Sequence, residues 1–221
     1  MNAKNLISDV VPALKTSDTG GHALNWMEIF RISHLPIVNN KEFLGLISDT
    51  DIYDLNMPDE PIGNHKLSLF SPFVTEEQHI YEVIELVAQH KLTVIPVLNN
   101  KKEYLGLITL HDLLQGFAKL TAVDKHGAII ILELNVNDYS LSEISQIVES
   151  ENCKILSLYV SDSENSMKIN VTIKLNTNDA SRILQSFYRY NYIVQASYME
   201  DNDLNNLYQN RFDEFMRFLN I

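Results

Sequence analysis

The sequence predicts an α/β (α+β) protein in which a duplicated β-α-β-β-α unit precedes a smaller β-α-β-β-α-β domain. Two observations carry this. The phrase Glu42-Phe43-Leu44-Gly45-Leu46-Ile47-Ser48-Asp49-Thr50-Asp51 returns as Glu103-Tyr104-Leu105-Gly106-Leu107-Ile108-Thr109-Leu110-His111-Asp112. From about Thr121 the pattern changes to longer β-branched runs separated by two amphipathic segments.

The duplication extends well beyond this phrase. Ser8, Pro12, Pro36, Asn39, Asn40 and Lys41 recur as Ser68, Pro72, Pro96, Asn99, Asn100 and Lys101 at an offset of sixty. From Glu42/Glu103 the offset is sixty-one, and the inserted residue falls in the turn-prone Asn-Asn-Lys tract, where an extra residue is tolerated. A repeat of this kind is settled before any other assignment because it dictates the architecture.

Within each unit the elements follow in order. Asp18 or Thr19 opens a helix with Ala23, Trp26, Met27 and Phe30 at helical spacing, and its counterpart starts near Glu76 with Ile80, Val83, Ile84 and Val87 on one face. Short strands follow at Leu35-Pro36-Ile37-Val38 and Ile95-Pro96-Val97-Leu98. Proline cannot donate to a ladder, so each is expected to start at its proline or to lie at a sheet edge. Turns at Asn39-Asn40 and Asn99-Asn100 lead to strands over 43–47 and 104–108, and then to helices.

The second domain reads as a strand over 128–134, a helix after the capping box Ser140-x-x-Glu143, and a hairpin over 155–160 and 167–175. In the second hairpin strand Ile169, Val171, Ile173 and Leu175 alternate with Lys168, Asn170, Thr172 and Lys174. Asn178 precedes a helix with Ala180, Ile183, Leu184 and Phe187, and 192–198 closes the set as a strand. After Asp201 an amphipathic helix is expected from Leu204, Leu207, Tyr208, Phe215, Phe218 and Leu219. The predicted domains are therefore 1–120 (repeats about 4–60 and 64–118), 121–200, and a C-terminal helix over 201–221.

Composition narrows the function. The 221 residues carry a formal charge of −12, with 45% hydrophobic and 21% charged residues. An acidic chain without a Lys/Arg cluster disfavours nucleic acid as a partner. No apolar run approaches a membrane span, and Met1-Asn2-Ala3-Lys4-Asn5 leads into no signal core, so no membrane partner and a cytoplasmic location are expected. A single cysteine, Cys153, excludes an internal disulfide and a cysteine-rich zinc site. No nucleophile–base pair, phosphate-loop signature or metal-ligand spacing is present, so neither catalysis nor a resident metal or cofactor is expected.

Apolar-Pro-apolar-apolar, a turn, then Gly-x-Ile-[Ser/Thr]-x-x-Asp, twice in register, resembles a tandem pair of cystathionine-β-synthase (CBS) domains. The resemblance covers about residues 4–118 and implies pseudo-two-fold symmetry and adenosine-ligand sensing in the clefts between repeats. The β-α-β-β-α-β order of 127–199 is ferredoxin-like and resembles an ACT-like domain. The ACT glycine after the first strand is absent from Asn135-Val136-Asn137-Asp138-Tyr139, so dimerisation is expected of this domain rather than amino-acid binding.

Two physical meanings of Ser48-x-x-Asp51 and Thr109-x-x-Asp112 stand side by side. One is a helix capping box that satisfies the helix's own N–H groups. The other is an adenine-nucleotide cradle, in which the hydroxyl and nearby N–H groups meet phosphate and the carboxylate meets the ribose hydroxyls. Leu35 and Ile95, from the proline-containing strands, are the candidate apolar residues against the purine. Asp49 adds negative charge beside Ser48, whereas His111 adds a donor beside Thr109, so the second site is expected to bind AMP, ADP or ATP better. The functional expectation is a non-catalytic regulatory homodimer acting on another protein; the rival is an interaction module with both motifs serving only as caps.

Overall fold

The computed structural model describes residues 1–55, 58–65, 69–164 and 166–199. Ser68 and the expected helix over 201–221 lie outside them. The chain divides between Leu120 and Thr121 into two units.

In the first unit, helix α1 (Gly20–Phe30), strands β1 (His34–Asn39) and β2 (Glu42–Ser48) and helix α2 (Asp49–Leu55) make one repeat. Strand β3 (Val74–Thr75), helix α3 (Ile80–His90), strands β4 (Val94–Leu98) and β5 (Tyr104–Thr109) and helix α4 (Leu110–Leu120) make the other. The opening strand of the first repeat is reduced to a parallel bridge, Leu14 with Ile37. Its counterpart sixty residues on is Val74 with Val97, the β3–β4 pairing. Helix α3 starts four residues later than the sequence pattern indicates. Residues 74–75 pair as strand, Thr75 N–H donates to Gln78 Oε1 at 2.6 Å, and His79 with Glu82 forms the capping box.

Both prolines sit third in their strands, and β4 is the central strand of the order β3-β4-β5. The expectation that proline marks a strand start or edge is corrected for Pro96, whereas β1, with Pro36, is an edge strand of the two-stranded sheet β1-β2. The Leu14 N–H donates to Pro36 O and the Val38 N–H to Leu14 O. N and O of one strand residue point the same way, so the missing N–H of Pro36 faces a parallel bridge that asks only for its carbonyl.

The two repeats exchange their leading segments. Ala3 and Lys4 donate to Gln78 O and Glu76 O, while Ile62 and Gly63 donate to Asp18 O and Thr16 O. Further on, Ser8 bridges Leu107 and Phe70 bridges Leu46. Ile7 thereby packs on Gly106 and Leu69 on Gly45, both at positive φ (158° and 152°), and a Cβ at either glycine would collide with these side chains. Leu14, Leu35, Ile37, Ile47, Ile80, Ile95, Leu107 and Ile108 are all at most 1% exposed and form one core. Burial of each contributes about 1.5–3 kcal/mol.

The second unit is β6 (Ile129–Asn135), α5 (Leu141–Ser150), β7 (Ile155–Asp162), β8 (Lys168–Leu175), α6 (Ser181–Arg189) and β9 (Ile193–Tyr198). Its antiparallel sheet has the order β7-β8-β6-β9, the ferredoxin-like topology. Ile130, Leu132, Val171, Ile173 and Leu175 pack with Ile144, Val148, Ile183 and Phe187 of the two helices. Ser140 caps α5 as its sequence indicates. Helix α6 begins only at Ser181, and Ala180 is its buried N-cap residue.

Candidate nucleotide site

Each Ser/Thr-x-x-Asp motif joins a strand to a helix, and the two share one hydrogen-bond set. Thr109 N–H and Oγ1–H both donate to Asp112 Oδ2, at 3.1 and 2.6 Å, and Asp112 N–H donates back to Thr109 Oγ1 at 3.1 Å. Ser48 and Asp51 repeat this at 2.8, 2.7 and 3.1 Å. Both motifs are therefore helix caps, and each aspartate keeps Oδ1 outside the cap, available to a ribose hydroxyl.

The hydroxyls differ. Ser48 Oγ also meets Thr50 Oγ1 at 2.8 Å, which saturates it. At the equivalent of Thr50 stands His111, which pairs instead with Gln115 (Nε2···Nε2 2.8 Å) and leaves Thr109 Oγ1 one free lone pair.

Thr109, His111 and Asp112 open onto a cleft of ≈ 450 Å³, whose other walls come from Val10, Val11 and the end of α1. The structure brings these three predicted residues together. It places Ser48 and Asp51 at the other motif, and it corrects the roles of Leu35 and Ile95. Both are 0% exposed and belong to the core, because β1 at Leu35–Ile37 and the whole of β4 are covered on both faces. The apolar wall of the cleft is Val10, Val11, Phe30 and Ile32.

Arg31 is the residue that sequence reasoning missed. It lines the Thr109–Asp112 cleft from the other repeat. Its backbone is left-handed (φ 56°) at the C-cap of α1, and among the described residues its guanidinium has no ion pair, as a cation awaiting an anion would. The available signal was that Lys91, sixty residues later, is also a basic C-cap residue, with φ 53°.

Thr93, which lines the same cleft, also contacts the other repeat. Its Oγ1 accepts from Ser33 N–H at 3.0 Å and lies 3.0 Å from His34 Nδ1. Burial holds the His34 imidazole below the usual histidine range, and the carboxylates of Asp49 and Asp51 offset part of that shift.

This duplicated fold with paired strand-to-helix motifs is that of the CBS domain, whose family profile matches residues 3–57 and 70–119. The first unit of the chain is a tandem CBS domain pair. Inosine-5'-monophosphate dehydrogenase of Methanocaldococcus jannaschii is 30% identical over 131 residues, 57% of this chain and 25% of that enzyme. The chain thus spans about a quarter of that curated relative's length. Among solved structures, a CBS domain pair/ACT domain protein of Thermotoga maritima has 25% identity and a TM-score of 0.47, covering 54% of this chain and 98% of that one. CBSX2 in complex with AMP has 17% identity and a TM-score of 0.45, covering 53% and 96%. Among the described residues no helix is long and apolar enough to cross a membrane.

Proposed function

We propose that this protein is a non-catalytic regulator whose CBS pair binds an adenine nucleotide in the Thr109–Asp112 cleft. The observation that carries the reading is the convergence of Asp112, Thr109 and Arg31, which has no ion pair among the described residues, on one cleft with an apolar wall. Asp112 Oδ1 accepts from the ribose, Val10, Val11 and Ile32 flank the purine, and Arg31 and His111 meet the phosphate. The cleft takes residues from both repeats, so a bound nucleotide favours the arrangement of the repeats that holds Arg31 against Thr109. The shift it produces equals its differential affinity for the two arrangements. The C-terminal domain, read as ACT-like, serves dimerisation or transmission, and the regulated protein is a separate polypeptide.

The identical cap bonds in both motifs support a second reading, a protein-interaction module with empty sites. Calorimetric titration of the full chain with AMP, ADP and ATP separates the two. Saturable binding lost on Asp112→Ala supports the regulator, and no heat with any of the three supports the module. Sedimentation equilibrium tests the homodimer.

A further inference from the structure

We infer that the Thr109–Asp112 cleft selects a nucleoside monophosphate over the triphosphate, an assignment that rests on the nucleotide reading of that cleft. It starts from the backbone donors of the two strand-to-helix junctions, which correspond one by one. Leu110 N–H donates to Thr93 O at 3.2 Å, as Asp49 N–H donates to Ser33 O at 3.1 Å. Asp112 N–H returns to Thr109 Oγ1 and Asp51 N–H to Ser48 Oγ, both at 3.1 Å. The residue between them differs. Thr50 N–H is taken by Asp49 Oδ1 at 2.7 Å. In the second repeat Leu110 stands where Asp49 does, and a leucine side chain has no acceptor. The His111 N–H, in the first turn of the 11-residue α4, therefore has no hydrogen-bond partner among the described residues.

A single open N–H does not make a site. The second sign is the charge across the cleft. Arg31 lines it from the other repeat, with no ion pair among the described residues. A phosphate monoester carries about two negative charges at pH 7 and presents three acceptor oxygens. A bidentate guanidinium and one backbone N–H match those three oxygens. The step from Asp49 to Leu110 does two things at once: it frees that N–H, and it removes a carboxylate from beside the phosphate.

Nothing comparable awaits a second or third phosphate. Among the described lining residues Arg31 is the one lysine or arginine, and the carboxylate is Asp112, the ribose partner. The β- and γ-phosphates of ATP bring about two further negative charges to a chain of formal charge −12. Asp112 repels them, and more strongly at a cleft wall than in bulk water.

The test is calorimetric titration of the full chain with adenosine, AMP and ATP, the last with and without Mg2+. AMP should bind at least about tenfold more tightly than adenosine, and at least about fivefold more tightly than ATP in either form. Leu110→Asp, at a half-exposed position, restores the arrangement of the first repeat. It should cut the preference for AMP over adenosine to about threefold or less. Leu110→Asn supplies the acceptor without the charge and should reduce that preference by a smaller factor. ATP binding as tight as AMP, or a preference for AMP over adenosine unchanged in both Leu110 variants, overturns the inference and leaves the nucleotide reading in place. Binding of none of the three overturns the nucleotide reading and the inference with it.

Discussion

The Ser48–Asp51 and Thr109–Asp112 motifs make the same three cap bonds yet stand in different surroundings. In the first, Thr50 saturates the serine hydroxyl, and the Phe70 ring packs edge to face on His90 at 4.8 Å. In the second, Ser8, which bridges Leu107 as Phe70 bridges Leu46, and Phe30, the counterpart of His90, line an open cleft. What the copies share is what the fold needs: the strand-to-helix cap, the glycine under the exchanged segment, the proline facing a parallel bridge. What they do not share lies in side chains free to meet a ligand.

That difference breaks most visibly at the aspartates. Asp112→Ala should weaken adenine-nucleotide binding by about 10–100-fold, the loss of a charged hydrogen bond worth about 1.5–3 kcal/mol. Asp51→Ala should leave it within about threefold. Each variant loses one cap and about 1 kcal/mol of stability, so similar melting temperatures with different affinities isolate the ligand contact. Equal affinity losses would mean that the clefts are functionally alike.

The basic C-cap residues come next. Arg31→Ala should cost about tenfold in affinity, with a shallower salt dependence, whereas Lys91→Ala should change little. Exchanging the residues that bridge the opposite repeat sharpens the comparison further. Ser8→Phe should shrink the second cleft and weaken binding severalfold. Phe70→Ser, at a half-exposed position, should expose the first motif and add at most a weak second site, because Ser48 stays saturated by Thr50. Stoichiometry from the same titration reads both effects.

How far these features were legible in the sequence follows from their range. The repeat, the caps and the β-α-β-β-α-β order were legible because they rest on local periodicity and short motifs. Arg31 was not, since it reaches the Thr109 cleft only through the crossing of the two repeats. The neighbourhood of Leu35 and Ile95 in sequence suggests purine contacts, but their strands are covered on both faces, Leu35–Ile37 and all of β4 being buried, which places both residues in the core. The start of α3 was misplaced because residues 74–75 pair as strand with β4, a tertiary choice that helical spacing does not reveal.

The smallest expected effect concerns His34, whose counterpart in the other repeat is the buried Val94. Its folded pKa lies below the unfolded value of 6.5, with burial the first cause. Between the two values the unfolded chain holds a proton that the folded chain does not. Stability is therefore unaffected by this group above pH 6.5 and falls as the pH drops below it, until the folded pKa is passed. Asp49 and Asp51 pull the other way, so the slope stays under the ~1.4 kcal/mol per pH unit of a whole proton. His34→Val makes the two repeats alike at this position and should flatten the urea-unfolding free energy between pH 7.5 and 5 by that share. It should also free Thr93 Oγ1 from the imidazole while the Ser33 N–H bond remains. If the pH profile of nucleotide affinity in the Thr109–Asp112 cleft also changes over that range, Thr93 couples His34 to that cleft. If only the unfolding slope changes, the histidine acts on the fold alone.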